Sequence, residues 1–321
     1  MKLPRALLFA TSMTLVGATT WAQTADWPSR SIKIVTPTPA GVGSDAFARA
    51  YADKLTKALN VGVVVENKPG ALATLGTDTV AKAAPDGYTL LFSTSNPFTT
   101  VPFLLPKIPY DPKADLTPVM QALRGGSFIV ASNTLPARSM AELVALAKSQ
   151  PGKISFASYG LGTTSHLGFE LIQEAAGIEM LHVPYKQGVL PDLMSGQVML
   201  GFEPPISALP NIKSGRVRAL AYTGSKRSPA LPDVPTLAEL YPGLEIFTWL
   251  GFWVPAKTPA AITQRLHQEL TTINRSPEMV KYIADAGLDI SSTTPAETEA
   301  IIKRDSDVMG KLIKAKGIKL E

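Results

Sequence analysis

Two segments place hydroxyls, glycines and a helix start side by side, and that combination points to anion binding before it points to catalysis. The first is Thr36-Pro37-Thr38-Pro39-Ala40-Gly41-Val42-Gly43-Ser44-Asp45, and the second is Ser158-Tyr159-Gly160-Leu161-Gly162-Thr163-Thr164-Ser165-His166. The first N–H groups of a helix have no intrahelical partner and sit at the positive end of its dipole. A small-residue loop that feeds such a start is a seat for an anion. A carboxylate only accepts hydrogen bonds, so a cluster such as Thr163, Thr164 and Ser165 beside those N–H groups suits it. An anion at each end of one ligand would suit the two loops together.

Other chemistry fits these residues less well. Ser165 and His166 are a nucleophile–base pair by type, but G-x-S-x-G is absent and no acid lies near in sequence to orient the histidine. His166 reads better as a hydrogen-bond donor at a helix start, His182 as a strand residue and His267 as a surface one, and their spacing matches no metal site. Gly41-Val42-Gly43-Ser44-Asp45-Ala46 matches G-x-G-x-x-A, with Glu66 20 residues further on where a dinucleotide fold keeps its ribose acid. Pro37 and Pro39 lengthen a turn which that motif needs tight. An exported hydrolase or dehydrogenase is therefore the rival to a binding protein.

The elements that must position these loops alternate. Strands are expected over 32–36, 61–65, 88–93, 128–131, 154–157, 180–183, 198–202 and 217–222. Phe47, Tyr51, Leu55 and Leu59 form the apolar stripe of a helix over 44–59. Ser139 to Glu142 reads as a capping box, a helix spans about 164–176 with Gly177 as C-cap, and Thr258-Pro259, Ser276-Pro277 and Thr294-Pro295 each read as N-cap and first helical residue. Strand–helix alternation implies an α/β fold of mixed, mostly parallel sheets flanked by helices. Ligands bind beyond the carboxyl ends of such strands, which adds Ser95, Asn96, Tyr185, Lys186, Glu203 and Pro204 as candidates. Trp249, Phe252 and Trp253 read as core.

Residues 1–22 read as a secretory signal: Lys2 and Arg5, an apolar stretch from Leu7 to Val16, and cleavage after about Ala22. The stretch falls short of the roughly 20 apolar residues of a membrane span. Its loss takes the net charge from +5 to +3, too mild for nucleic-acid binding. With no cysteine there is no disulfide, thiolate zinc site or lipidated N-terminal cysteine. The remaining 299 or so residues suggest two lobes at ~150 residues each. Gly125-Gly126 and Phe247–Val254 are the candidate crossings, which gives lobe 1 as 23–125 with 248–321 and lobe 2 as 126–247.

Several segments together resemble one family. They are Val64-Val65-Glu66-Asn67-Lys68-Pro69-Gly70, Ala83-Ala84-Pro85-Asp86-Gly87-Tyr88-Thr89-Leu90-Leu91, His182-Val183-Pro184-Tyr185-Lys186, Ser207-Ala208-Leu209-Pro210, Arg218-Ala219-Leu220-Ala221 and Lys226–Thr236. The chain resembles, over nearly all of its mature length, the Bug or TctC-like periplasmic solute-binding proteins of tripartite tricarboxylate transporters. The resemblance implies a two-lobed Venus-flytrap fold and a periplasmic, monomeric carrier without cofactor or enzymatic activity. It implies a carboxylate or dicarboxylate gripped between the loops at Thr38, Pro39, Gly41, Val42, Gly43, Ser44 and Asp45 and at Gly160–His166. It implies delivery to a two-subunit membrane complex, or in some members to a sensor kinase. Three places depart from the family: Ala40-Gly41-Val42 for its frequent Pro-Gly-Gly, Leu72-Ala73 for a glycine pair, and Glu203-Pro204-Pro205 for an aspartate followed by asparagine. Glu203 argues against an amino-acid ligand. Val42, Leu72 and Pro204 make the expected pocket wall more apolar, which favours an acid with an aromatic or aliphatic body.

Overall fold

A computed structural model describes residues 27–41, 43–185 and 188–320, so the signal segment, Val42 and Lys186 lie outside the described residues. Among the described residues eleven strands form two sheets. They are β1 (Ile32–Thr36), β2 (Val63–Asn67), β3 (Thr89–Thr94), β4 (Leu116–Gly125), β5 (Phe128–Ser132), β6 (Ser155–Ser158), β7 (Leu181–Pro184), β8 (Leu200–Glu203), β9 (Val217–Tyr222), β10 (Thr248–Pro255) and β11 (Asp289–Ile290). The first sheet runs β11-β4-β10-β3-β1-β2 and the second β7-β6-β8-β5-β9. The chain passes from the first sheet to the second at Gly125–Ser127 and returns over 223–247.

Among the described residues four of the nine strand pairs are parallel, so the sheets are mixed rather than mostly parallel. The antiparallel pairs involve β4, β5, β9 and β10, the strands that flank the two passages, and β11. An antiparallel neighbour needs no crossover helix, so a strand arriving from the other sheet can enter in that sense. The sequence reading missed β4 and took β10 only as an apolar crossing stretch. β10 is buried on both faces with Phe252 and Trp253 at 0% exposure, so it lacks the alternation that marks a half-buried strand.

Each sheet carries its own core. Tyr51, Leu55, Phe92 and Phe252 pack together in the first, and Phe156, Phe169, Ile172 and Leu200 in the second. Several helix starts fall as expected. Ser276 and Thr294 cap their helices, and Thr294 forms a full capping box with Glu297. Two differ in detail. The Glu142 carboxylate accepts from the Arg138 N–H instead of closing the box on Ser139, and Pro259 rather than Thr258 is the N-cap of Ala260–Asn274.

The C-terminal helix Pro295–Ala315 lies against β4 and also meets the Thr164–Ala176 helix of the second sheet. Leu312 and Ile313 close a small buried cluster with Leu104 and Leu167, and Lys316 pairs with Glu170 at 3.1 Å. At Leu72-Ala73 the backbone follows a left-handed path: Leu72 has φ 56° and Ala73 has φ 71°. Such a conformation costs an L-residue roughly 1–2 kcal/mol. The next turn supports the first loop, since Gly76 sits so close to Pro37 that a Cβ would come within 2.8 Å. Ala73→Gly is expected to raise stability by about 1 kcal/mol, read by chemical denaturation; an unchanged midpoint would show that the strain is absent.

Candidate functional site

The loops meet across a cavity of about 730 Å3 at the carboxyl ends of parallel strands from both sheets. From the first sheet come Ser44, at the start of the Gly43–Leu59 helix, and Asn96, just past β3. From the second come Tyr159, Thr163, Thr164 and Ser165 after β6, and Pro204 after β8. Gly125, Gly126, Ser127 and Thr248, at the passages between sheets, line it as well.

In the second loop Thr163 is the N-cap: its hydroxyl accepts from the His166 N–H and donates to the Gly160 carbonyl at 2.7 Å. Ser165, buried, accepts the Tyr159 N–H at 3.0 Å. These bonds fix the loop and leave the N–H groups of Thr164 and Ser165, at the first two helical positions, without intrahelical partners. Thr164 itself lines the cavity. The fold thus brings Thr163, Thr164 and Ser165 to one wall of the cavity.

The first loop is arranged differently from the expectation. Asp45 does not line the cavity. It is buried at 3% exposure, and its carboxylate accepts from the Gly41 N–H at 2.9 Å, Arg49 Nε at 3.0 Å and Asn67 Nδ2 at 2.8 Å. Burial works to raise its pKa, but the Arg49, Gly41 and Asn67 hydrogen bonds outweigh it and hold the carboxyl at about 2. Asp45 thus ties the loop down from below. Ser44 Oγ donates to Thr38 Oγ1, which also meets Thr36 Oγ1, each at 3.0 Å. Thr38, Pro39 and Gly41 shape the turn without lining the cavity.

Other candidates also serve as supports. Ser95 is buried, and its carbonyl starts the short helix after β3. The Tyr185 hydroxyl donates to Asp192 at 2.7 Å, away from the cavity. Glu203 is fully buried behind Tyr159, accepting from the Tyr159 hydroxyl and from Ser207 Oγ, each at 2.7 Å. Burial pushes the Glu203 carboxyl up, against the pull of those two donors. It touches Tyr159 rather than the cavity because strand alternation turns Phe202 and Glu203 to opposite faces. Gly162 is buried under Leu104. Leu72, expected in the apolar wall, does not line the cavity.

His166 turns inward. Its Nδ1 accepts the Gly162 N–H at 3.0 Å, and its ring stacks on His182 with centroids 3.9 Å apart. It is therefore an acceptor under the loop and not a donor to a ligand. Burial, aided by His182, lowers its pKa to about 4. Its unfolded value is about 6.5, so between those values the unfolded chain binds the proton and the folded chain does not. Stability should be full above pH 6.5 and fall by about 3 kcal/mol toward pH 4. His166→Gln is expected to flatten that slope in melting curves taken from pH 7 to 4; a wild-type slope in the variant would remove His166 as its source.

Sequence reasoning missed the apolar side. Phe47, Leu123, Phe202, Leu250, Tyr282 and Leu288 all line the cavity, as does Asp285. Phe47 was legible only as a stripe residue, and it both packs in the core and meets Tyr282 edge-on at 5.5 Å. The others come from strand interiors, a distant helix and the connection that follows it, with no local signal to join them. No G-x-S-x-G nucleophile is present, Ser165 faces Tyr159 rather than His166, and Glu66 pairs with Lys33 and Lys68. Among the described residues no three metal-ligating side chains cluster, and no helix is long and apolar enough to cross a membrane.

Two α/β sheets joined at a doubly crossed waist, with a cleft whose donors come from both sheets, define a solute-binding receptor architecture. The model of the tripartite tricarboxylate transporter family receptor matches residues 47–318, and the chain belongs to that family. Protein BugT of Bordetella pertussis is 35% identical over 299 residues, covering 92% of each chain. Among solved structures, an R. palustris protein with adipate has TM-score 0.81 and 30% identity, covering 92% of this chain and 100% of its own. The periplasmic binding protein BugD has TM-score 0.76 and 34% identity with the same coverage. The family is one of receptors and BugD is a periplasmic binding protein, so the exported-enzyme alternative falls.

Proposed function

We propose that this chain is a periplasmic receptor that captures a small carboxylate in the cleft and presents it to the membrane subunits of a tripartite tricarboxylate transporter. The observation that carries the reading is the convergence of Ser44 and Asn96 from one sheet with Thr164 and the free helix-start N–H groups from the other on a single cavity. A relative that holds adipate supports the ligand class. The lobes are 23–125 with 248–321 and 126–247, the signal is removed after about Ala22, and the chain works as a monomer. Ligand binds one lobe and draws the other onto it, which shifts the population to the closed form.

The test is a thermal-shift screen of mono- and dicarboxylates against neutral sugars. Binding to the native state raises the melting temperature by mass action. A response to sugars and none to any acid would sink the proposal. Thr164→Val removes one hydroxyl donor at nearly constant volume, and is expected to weaken acid binding by about 1–3 kcal/mol in calorimetry. Wild-type affinity would reduce the second loop to a helix cap.

A further inference from the structure

The two passages between the sheets meet at one residue. Thr223 opens the return passage, is fully buried and makes four hydrogen bonds. Its N–H donates to the Ser127 carbonyl at 2.9 Å, and its carbonyl accepts the Ile246 N–H at 3.4 Å. Its hydroxyl accepts the Ser127 N–H at 2.8 Å and donates to the Ile246 carbonyl at 2.7 Å. Ser127 ends the outward passage, and Ile246 lies near the end of the return. The passages also touch backbone to backbone: a Cβ on Gly126 would lie 2.4 Å from the Gly224 nitrogen and 2.7 Å from Tyr222 Cζ. Ser127 lines the cavity, and so does Thr248, just beyond Ile246.

Two separate chain segments bend independently at their φ and ψ angles, so by themselves they leave two lobes several axes to turn about. Here one hydroxyl uses its donor and an acceptor site to tie both segments at the same point. Without it the Ser127 N–H and the Ile246 carbonyl, both in buried residues, would lose the partner it gives them. We propose that Thr223 is a hinge pin. It is a positioning residue whose hydroxyl fixes the two passages to one another, so that the lobes turn about a single axis. The cavity walls at Ser127 and Thr248 then meet in one register. The inference rests on the two-lobe closure read above and not on the class of ligand.

The experiment measures the spread of inter-lobe distances in the chain without added acid. The sequence has no cysteine, so Lys57→Cys and Lys148→Cys, at exposed positions of the Gly43–Leu59 and Met140–Ser149 helices, each take one spin label. Pulsed electron resonance then reads the distance distribution between them. Thr223→Val keeps the side-chain shape, removes the hydroxyl and should broaden the distribution at least about twofold. Thr223→Ser keeps the hydroxyl and should retain the wild-type width. A wild-type width in Thr223→Val, with only a lower melting temperature, would overturn the pin and leave Thr223 as a fold contact. A valine-like width in Thr223→Ser would overturn it as well. A second measurement needs no change at Thr223. In the wild type the Ser127 amide should exchange as slowly as the amides of β4 and β5, and fast exchange there would overturn the inference. Because no acid is present, failure of the pin leaves the carboxylate reading standing, and failure of that reading in the thermal-shift screen leaves the pin standing.

Discussion

Gly162→Ala should lower stability by about 2–4 kcal/mol and weaken ligand binding with it. Gly162 has φ +74°, a left-handed conformation that costs an L-residue roughly 1–2 kcal/mol. A Cβ there would lie 2.2 Å from Leu104 Cδ1 and 3.2 Å from its Cγ. A mobile leucine could swing aside, but Leu104 is 3% exposed and packed with Leu167, Leu312 and Ile313. Its displacement adds an overpacking cost of about 1–3 kcal/mol. For a chain of this size the two terms together correspond to a fall of roughly 5–15 °C in melting temperature. The same contact joins the hydroxyl loop to a helix of the other sheet, so a shift there also moves the Thr164 donors. Leu104→Ala in the same background should recover part of the loss, with a coupling above about 1 kcal/mol in a double-mutant cycle. An unchanged melting temperature in Gly162→Ala would show that the loop is not clamped at this point.

Asp45→Ala is the second large effect. It deletes a buried carboxylate that accepts from Gly41, Arg49 and Asn67, and should cost about 2–4 kcal/mol. The acid limb gives an independent readout. The folded carboxyl titrates at about 2, below its unfolded value near 3.9, so its contribution is present above pH 4 and lost as pH falls through 2. Wild type should lose about 2 kcal/mol over that window that the variant does not. The window lies below the one assigned to His166, and a single pH series therefore separates the loop anchor from the histidine stack. Parallel wild-type and variant curves below pH 4 would count against Asp45 as the anchor.

What the sequence by itself determined is local: strand and helix positions where caps and alternation are strong, the two helix-start loops, and the donor chemistry of Thr163-Thr164-Ser165. Those features depend on neighbours within a few residues, and the chain carries them in plain order. Ser44, Asn96, Tyr159, Thr164 and Pro204 were legible for that reason, because strand ends and helix starts recur at the site. Only the tertiary structure decided the rest. Asp45, His166 and Glu203 have the residue types of ligand contacts, yet each is turned inward to hold a loop or a tyrosine, and no local signal tells a buried anchor from an exposed contact. The apolar side of the cavity likewise joins Phe47, Phe202 and Leu288, whose separation along the chain hides their meeting. Packing brings such residues together through burial of apolar area, which is non-directional and leaves no motif behind. The two helix-start loops were therefore written in sequence order, and the cavity on which they meet was decided by how the two sheets close on one another.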